Sequence, residues 1–361
     1  MASIDKRPNG KWRARWREYP GGPQNTKQFA RKVDAERFLV DVEHRLLSGT
    51  YTPPSAGQVT VAAYAEDWLG RRTWAPGTHE RVERELRRHI LPAFGSRPLA
   101  SLRRAHIEEW AKALPLAPST SRMVYVTLSS MLAAAVDDER IPRNPAKGAH
   151  LAKPERSPLV PLSTEAIRAL AGAIAEHLRA AVVLAAGTGL RLGELLGVST
   201  DRVDFMRREL RVDRQLWTPQ KGRPVFRAPK SRNSYRTVAL SSLLIETLAA
   251  HVATFGTGDE GLMFHRRGRP MRRTTAGHHM HEAARAAGLD ASWHDLRHHH
   301  ASVLLSAGVS PAMVAERLGH DVKTLLATYA HVIRKDEDRV RTIVDDTLGG
   351  SAEDWLRTKA V

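Results

Sequence analysis

Residues 293–300 read Trp-His-Asp-Leu-Arg-His-His-His, which places four imidazoles and one guanidinium within eight positions. His294 and Arg297 are three residues apart, so on one helix both side chains project to the same side. The histidines alone are also compatible with a metal site. However, the consecutive residues 298–300 cannot all converge on one ion from a helix, and no carboxylate-rich motif accompanies them. We therefore predict a helix with a functional face and no metal.

Four other short patches carry matching polar groups. They are Thr188-Gly-Leu-Arg-Leu-Gly-Glu194, Pro229-Lys-Ser231, Leu318-Gly-His320 and Thr328-Tyr-Ala-His331. Arg191 follows a glycine break after an apolar run, so it opens a new helix. Glu194 lies three residues on, where it can fix this guanidinium or a neighbouring helix. His320 lies in a helix junction, and Tyr329 lies near the end of the helix that follows.

Together these patches supply what transfer of a phosphodiester to a tyrosine requires. Negative charge develops on the non-bridging oxygens of the transition state, and fixed cations stabilise it. Arg191 and Arg297 suit this task because a guanidinium donates two hydrogen bonds to a phosphate and stays charged. His294 and His320 would transfer protons or bond the phosphate, with His298 in support. A free phenol has a pKa of about 10, so a Tyr329 nucleophile needs cations or a base.

A lysine is the candidate for the general acid that protonates the departing 5′ oxygen. Lys230 lies in a segment that we expect to be a strand, Val225 to Leu240, which follows a turn at residues 219–224 and an earlier strand, Leu210 to Trp217. Lys221 lies in that turn and is the competing candidate. The residues alone leave this choice open.

Composition points to a polyanionic partner. The chain has 361 residues and a formal charge of +17, from 56 Lys and Arg against 39 Asp and Glu. Basic groups that neutralise phosphates release condensed counterions, which favours nucleic acid as the partner. No long apolar run or signal-peptide pattern is present, so we expect no membrane association. Cysteine is absent, which excludes disulfides and thiolate chemistry and favours a cytoplasmic, nucleoid-associated protein.

The chain length and the Pro/Gly-rich breaks predict several domains. Residues 1–55 are expected to form a small three-stranded sheet plus a helix from about Val33 to Ser48, because Trp12, Ala14 and Trp16 alternate with arginines. Residues 58–145 are helical throughout and predict an all-α bundle. A linker at 146–158 precedes a mixed, mainly helical domain with a small antiparallel sheet at 159–348, and 349–361 form a tail. The candidate DNA-binding residues are Lys11, Arg13, Arg15, Arg17, Arg81, Arg84 and Arg88.

The order and spacing of six residues resemble the active-site positions of the tyrosine recombinase (phage integrase) family. These residues are Arg191, Lys230, His294, Arg297, His320 and Tyr329. Glu194 matches the acidic companion of the first arginine, and His331 fits the Tyr-x-His tail often seen after the nucleophile. The helical region resembles the family's core-binding domain, and the N-terminal sheet resembles the arm-binding domain of integrases from phages or integrative elements.

The resemblance implies a site-specific recombinase that needs no cofactor. Tyr329 would form a 3′-phosphotyrosyl link, and the freed 5′ hydroxyl would attack the partner strand. Four protomers would hold double-stranded DNA at core and arm sites and pass through a Holliday junction, so integrating and excising a mobile element. C-terminal segments from about Asp336 would be swapped between protomers. A directionality factor or a DNA-bending protein would be the accessory partner.

Two other functions compete with this interpretation. Residues 301–318, with Gly308-Val-Ser310 between two apolar helices, are also typical of a helix-turn-helix regulator, which would be basic but non-catalytic. A type IB topoisomerase would use the same chemistry without partner sites. The regulator has no use for Tyr329 and its cations, and the arm-like N-terminal module argues against the topoisomerase.

Overall fold

The computed structural model describes residues 2–48, 51, 53, 56–152, 160–229, 231–330 and 337–349. The chain divides into two compact units, Met1–Arg156 and Ser157–Val361. This boundary falls inside the segment 146–158 that was predicted as a linker. The predictions for Lys230, His331 and the tail from 350 onward lie outside the described residues. The predicted fold class, mainly helical with small antiparallel sheets, is confirmed.

The first unit begins with a three-stranded antiparallel sheet that packs on one helix. Its elements are β1 (Ser3–Lys6), β2 (Trp12–Arg17), β3 (Gln24–Phe29) and α1 (Lys32–Leu47), with β2 in the centre. Side chains alternate along a strand, so Ala14 and Trp16 are buried against Leu39 and Val42 of α1. The arginines of β2 therefore lie on the opposite face of the sheet.

The rest of this unit is helical. Its helices are α2 (Val61–Arg71), α3 (Pro76–Glu85), α4 (Leu91–Phe94), α5 (Arg104–Ala113) and α6 (Pro118–Asp137), and a π-helical turn at Leu86–Ile90 joins α3 to α4. The Thr60 hydroxyl caps α2 by accepting from the backbone N–H of Ala63. Trp68, Ile90 and Leu128 lie in a core separate from that of the sheet.

The second unit is built around one apolar helix that contacts several others. Its helices are α7 (Thr164–Ala173), α8 (Arg179–Thr188), α9 (Leu192–Leu196), α10 (Ser242–Phe255), α11 (Arg273–Ala286), α12 (Trp293–Ser306), α13 (Pro311–Leu318), α14 (Val322–Tyr329) and α15 (Glu337–Leu348). The central one is α8, whose residues Val182, Leu184 and Ala185 are buried in the core. Within the described part of the chain, no helix is both long enough and apolar enough to cross a membrane.

Three small antiparallel sheets complete this unit. They are formed by β4 (Val203–Asp204), β5 (Glu209–Val212) and β8 (Arg236–Ala239), by β6 (Gln215–Trp217) and β7 (Val225–Arg227), and by β9 (His265–Arg266) and β10 (Arg269–Pro270). The prediction of two continuous strands was wrong. Each predicted strand is divided into two short strands. Between β5 and β6, the side chain of Asp213 accepts a hydrogen bond from Arg202 at 2.9 Å. Between β7 and β8, Pro229 has no N–H to donate to a neighbouring strand.

Candidate active site

Arg191 lies immediately before α9 and is held by the carboxylate of Glu194. Glu194 accepts from the backbone N–H of Arg191 and from its Nη1, each at 3.0 Å. Burial raises the pKa of this carboxyl, but hydrogen bonds and charges from Arg236 and Arg191 outweigh burial and bring the pKa below its ordinary value. Glu194 is therefore ionised at neutral pH and fixes the Arg191 guanidinium at the start of the helix.

Arg236 in β8 completes this ion cluster and was missed by the sequence analysis. Its Nη2 donates to Glu194 at 2.9 Å and its Nε donates to the backbone carbonyl of Arg317 at 2.7 Å. The side chains of Arg236 and Glu194 are 4% and 3% exposed. The available signal was strand alternation, since Arg236 shares a face with Val238, which is fully buried.

Backbone carbonyls at the ends of α8 and α13 accept hydrogen bonds from both arginines of the site. Arg297 on α12 donates to the carbonyls of Gly189 at 2.5 Å and Leu318 at 2.7 Å, and Arg191 donates to the carbonyl of Gly319 at 2.9 Å. Carbonyls at the end of a helix lack intrahelical partners, so a cation is stabilised there. Both glycines have positive φ, and a Cβ on Gly189 would lie 2.5 Å from Leu318 Cδ2.

Arg297 is fully buried in this arrangement. Its Nε is also buried and makes no hydrogen bond to any described residue. Burial, followed by the charge of Arg191, lowers the pKa of this guanidinium. The two arginines are thus brought to one site, with Arg297 beneath and Arg191 at the partly exposed edge.

Tyr329, the predicted nucleophile, is the last residue of α14 and is 1% exposed. Its hydroxyl lies 2.6 Å from Nδ1 of His298 on α12. The ring of His294 stands edge-on to that of His298, with 4.5 Å between centroids. Because positions 294, 297 and 298 recur at helical spacing, α12 presents all three side chains on one side.

The environment keeps these groups uncharged in the free chain. Burial raises the pKa of Tyr329 to about 12, although the nearby charge of Arg297 opposes this. Burial and then His294 lower the pKa of His298 to about 4. Burial, together with Arg297 and Arg191, lowers the pKa of His320 to about 4, and its Nδ1 is buried without a hydrogen bond to any described residue.

The consecutive histidines of α12 diverge. Nδ1 of His298 contacts Tyr329, Nδ1 of His299 contacts the carbonyl of Leu162, and Nδ1 of His300 contacts the carbonyl of Ala186. Arg317 Nε donates to Nε2 of His300 at 3.2 Å. His299 therefore contacts the segment before α7, and His300 contacts α8, so the three side chains take different partners.

The loop around the predicted general acid flanks the Arg191 edge of the site. Pro229 and Ser231 line a cavity of about 240 Å³ together with Arg191 and Arg273. Arg273, at the start of α11, was also missed by the sequence analysis. The competing lysine lies in the turn between β6 and β7, which Arg272 clamps by donating to the carbonyls of Pro219 and Gly222.

The predicted DNA-binding residues differ in how far their charges are already paired. Arg13 donates to Asp5 at 2.8 and 3.1 Å, and Arg15 lies 3.0 Å from the same carboxylate. Arg17 donates to the carbonyl of Gly22, and Lys11 is exposed. In the helical region, Arg81 forms an ion pair with the buried Glu85 at 2.7 Å, whereas Arg84 and Arg88 are exposed. Arg81 is thus the member of this set most engaged in folding.

A buried phenol, two guanidiniums and three imidazoles in one site have the chemistry for phosphodiester transfer, and comparisons with known proteins point the same way. A model of the phage integrase family matches residues 161–335, and a model of the N-terminal SAM-like domain of phage integrases matches residues 60–114. The chain belongs to the phage integrase family of tyrosine recombinases. The integrase of Mycobacterium phage D29 is 27% identical over 351 residues, which cover 91% of this chain and 90% of the phage protein.

Solved structures share the recombinase fold. The Tn1549 transposon integrase in complex with a circular intermediate DNA has a TM-score of 0.68 at 21% identity, covering 80% of this chain and 99% of that one. A lambda integrase from a tetramer bound to a Holliday junction has a TM-score of 0.59 at 19% identity, covering 89% and 94%. At these identities the similarity establishes the fold, and family membership identifies the chain as a tyrosine recombinase.

Proposed function

We propose that this recombinase is an integrase that cleaves and rejoins double-stranded DNA at specific sites through a 3′-phosphotyrosyl intermediate and a Holliday junction, integrating and excising a mobile element. The observation that carries the proposal is the placement of Tyr329 beside His298, on the helix that also carries His294 and Arg297. Arg191 and Arg297 would clamp the scissile phosphate. The two helices that are typical of a helix-turn-helix regulator here carry or adjoin site residues, since His298 lies on α12 and His320 follows α13, which favours strand transfer.

The remaining chemistry concerns the leaving group. Lys230 would protonate the 5′ oxygen, with Lys221 as the rival, and His320 would hydrogen-bond the phosphate. His331 would support the nucleophile. The described neighbours of residue 230, Pro229 and Ser231, line a cavity together with Arg191. No cofactor enters this proposal.

The two N-terminal segments would bind DNA without contacting the scissile phosphate. Residues 1–55 would contact arm sites through the arginine face of the β1–β3 sheet, and residues 58–145 would grip the core site, with Arg84 and Arg88 exposed for phosphates. The SAM-like family match over 60–114 supports a separate role for this helical segment. Such an arm module favours an integrase over a type IB topoisomerase.

The proposed integrase would act on DNA as a homotetramer. The lambda integrase has been captured as a tetramer on a Holliday junction. In this chain α15 exposes Ile343, Val344 and Leu348, an apolar set that fits a C-terminal segment swapped onto a neighbouring protomer. A directionality factor or a DNA-bending protein would then select integration or excision.

A suicide substrate tests the function directly. When the chain is incubated with a nicked cognate site, the short cleaved strand diffuses away and the covalent complex accumulates. We expect the Tyr329→Phe variant to form no complex, because it has no oxygen to attack phosphorus. The Tyr235→Phe variant is the matched control, since Tyr235 is exposed on the same unit, and it should link to DNA normally. A covalent complex that persists in Tyr329→Phe would show that the nucleophile is another residue.

A further inference from the structure

The phenol of Tyr329 has one hydrogen-bond partner among the described residues, Nδ1 of His298 at 2.6 Å. A neutral imidazole has one N–H and one lone pair. Nε2 of His298 makes no hydrogen bond to a described residue, and we assign the imidazole hydrogen to Nε2, the tautomer that leaves Nδ1 as the acceptor. The phenol O–H then donates to that lone pair. The phenol of Tyr329 therefore already makes the hydrogen bond through which its proton would pass to His298.

Resting on the proposed function, we infer that His298, rather than His294 or His320, is the general base that removes the proton from Tyr329 during strand cleavage. As the Tyr329 Oη–phosphorus bond forms and the bond from phosphorus to the 5′ oxygen breaks, the phenolic proton moves to Nδ1 of His298. The 5′ oxygen takes its proton from the separate general acid. In rejoining, the 5′ hydroxyl attacks phosphorus and returns its proton to the deprotonated general acid, while the bond from phosphorus to the Tyr329 oxygen breaks and the imidazolium returns its proton to the departing phenolate.

The other imidazoles are less well placed. The ring of His294 packs against the ring of His298 rather than against the phenol. No hydrogen bond joins His320 to Tyr329 within the described chain, and the Nδ1 of His320 is buried without a hydrogen-bond partner there. Arg297 cannot accept a proton from the phenol, because a guanidinium only donates and its two outer nitrogens already bind carbonyls.

The surroundings of His298 and Tyr329 also explain why the tyrosine would not be reactive in the absence of DNA. The groups that act on His298 are His294, Asp295 and Arg297, and burial among them disfavours an imidazolium. The proton therefore stays on the phenol, whose own pKa is raised. A bound DNA phosphate would add negative charge beside this cluster and so stabilise the imidazolium. Transfer of the proton would be coupled to arrival of the substrate.

His298→Asn separates a base from a mere positioning contact. An asparagine keeps an oxygen acceptor near the place of Nδ1, so it can hold the phenol, but it cannot take up the proton. Single-turnover cleavage of the nicked site should fall by about 100-fold or more. His299→Asn is the matched control, because His299 is adjacent on α12 and contacts Leu162 instead. It should cleave within about threefold of the unsubstituted chain.

A second experiment replaces Tyr329 with a fluorinated tyrosine. Its phenol is more acidic, so its attack on phosphorus depends less on a general base. In the His298→Asn background this replacement should recover most of the lost rate, to within about tenfold. If the fluorinated tyrosine instead restores the cleavage rate of His294→Asn and not that of His298→Asn, the general base is His294. A His298→Asn variant that cleaves at the normal rate would also overturn the inference. If the unsubstituted chain forms no covalent complex, the proposed function itself fails.

Discussion

At the scale of single residues, the buried pair Glu194–Arg236 matters as much as the residues that would touch DNA. Glu194 is bonded to both Arg191 and Arg236, so it couples the α9 start to β8. Removing one partner of a buried ion pair leaves an uncompensated charge, which typically costs about 3–5 kcal/mol. The orientation of Arg191 therefore depends on a residue that need not contact the substrate.

This dependence predicts the behaviour of Arg236→Met. The free energy of unfolding should fall by about 3 kcal/mol, and cleavage should fall with it because Arg191 loses its fixed position. Urea denaturation followed by circular dichroism measures the first effect. The control is Arg211→Met on the neighbouring strand β5. The Arg211 side chain is 57% exposed in its ion pair with Asp213, so this pair should contribute less than about 1 kcal/mol. Equal stability of the two variants would contradict a structural role for Arg236.

At the scale of elements, the N-terminal sheet has two faces with different tasks. Trp16 and its neighbours pack on α1, and the opposite face carries Arg13, Arg15 and Arg17 beside Asp5. Because this core is separate from that of the helical region, the sheet can be altered without disturbing the rest. Its charges are therefore open to a direct test of arm binding.

Changing Arg13, Arg15 and Arg17 together to Ser should weaken binding to arm-site DNA and reduce the salt dependence of that binding by roughly one to three phosphate contacts. Core-site cleavage should stay unchanged. Fluorescence anisotropy at several salt concentrations measures the first effect, and the suicide substrate measures the second. Changing Arg31 and Arg45 to Ser removes exposed charges near or on α1 and serves as the control. Deletion of residues 1–55 should likewise spare core-site cleavage and weaken recombination that needs arm sites. Full recombination after deletion would refute the arm assignment.

At the scale of the whole molecule, buried neutral histidines predict a loss of stability in mild acid. The pKa values of His298, His300 and His320 are lowered to about 4 by burial, whereas unfolded histidine titrates near 6.5. Below pH 6.5 the unfolded chain therefore binds more protons, and stability falls as pH drops towards 4. For His300, which is 7% exposed, the contribution lost by pH 4 is about 3 kcal/mol.

Thermal unfolding between pH 7 and pH 5 checks this prediction, since carboxylates with ordinary or lowered pKa values remain ionised over most of that range. The midpoint should fall steadily with pH. His300→Gln should be less stable at pH 7, because the contacts with Ala186 and Arg317 change, but its midpoint should depend less on pH. An unchanged slope in that variant would mean that His300 does not stay neutral in the fold.

The sequence by itself determined the family, the class of fold and the identity of the polar residues that the structure brings together. This was possible because Arg191, His294, Arg297, His320 and Tyr329 stand in local patterns whose helical spacing and glycine breaks are encoded within a few residues. Helix starts such as Ser163 before α7 follow from the same local rules, since its hydroxyl accepts from Ala166.

Only the tertiary structure decided which partners these residues take. The burial of Arg236 against Glu194, the bracing of Arg297 by Gly189 and Leu318, and the contact between His298 and Tyr329 all join segments between 21 and 108 positions apart. The splitting of two predicted strands also depended on partners, because β5 pairs with β8 and β6 with β7. Local patterns set which face of an element a side chain occupies, but packing between distant elements sets its neighbours, its burial and hence its pKa.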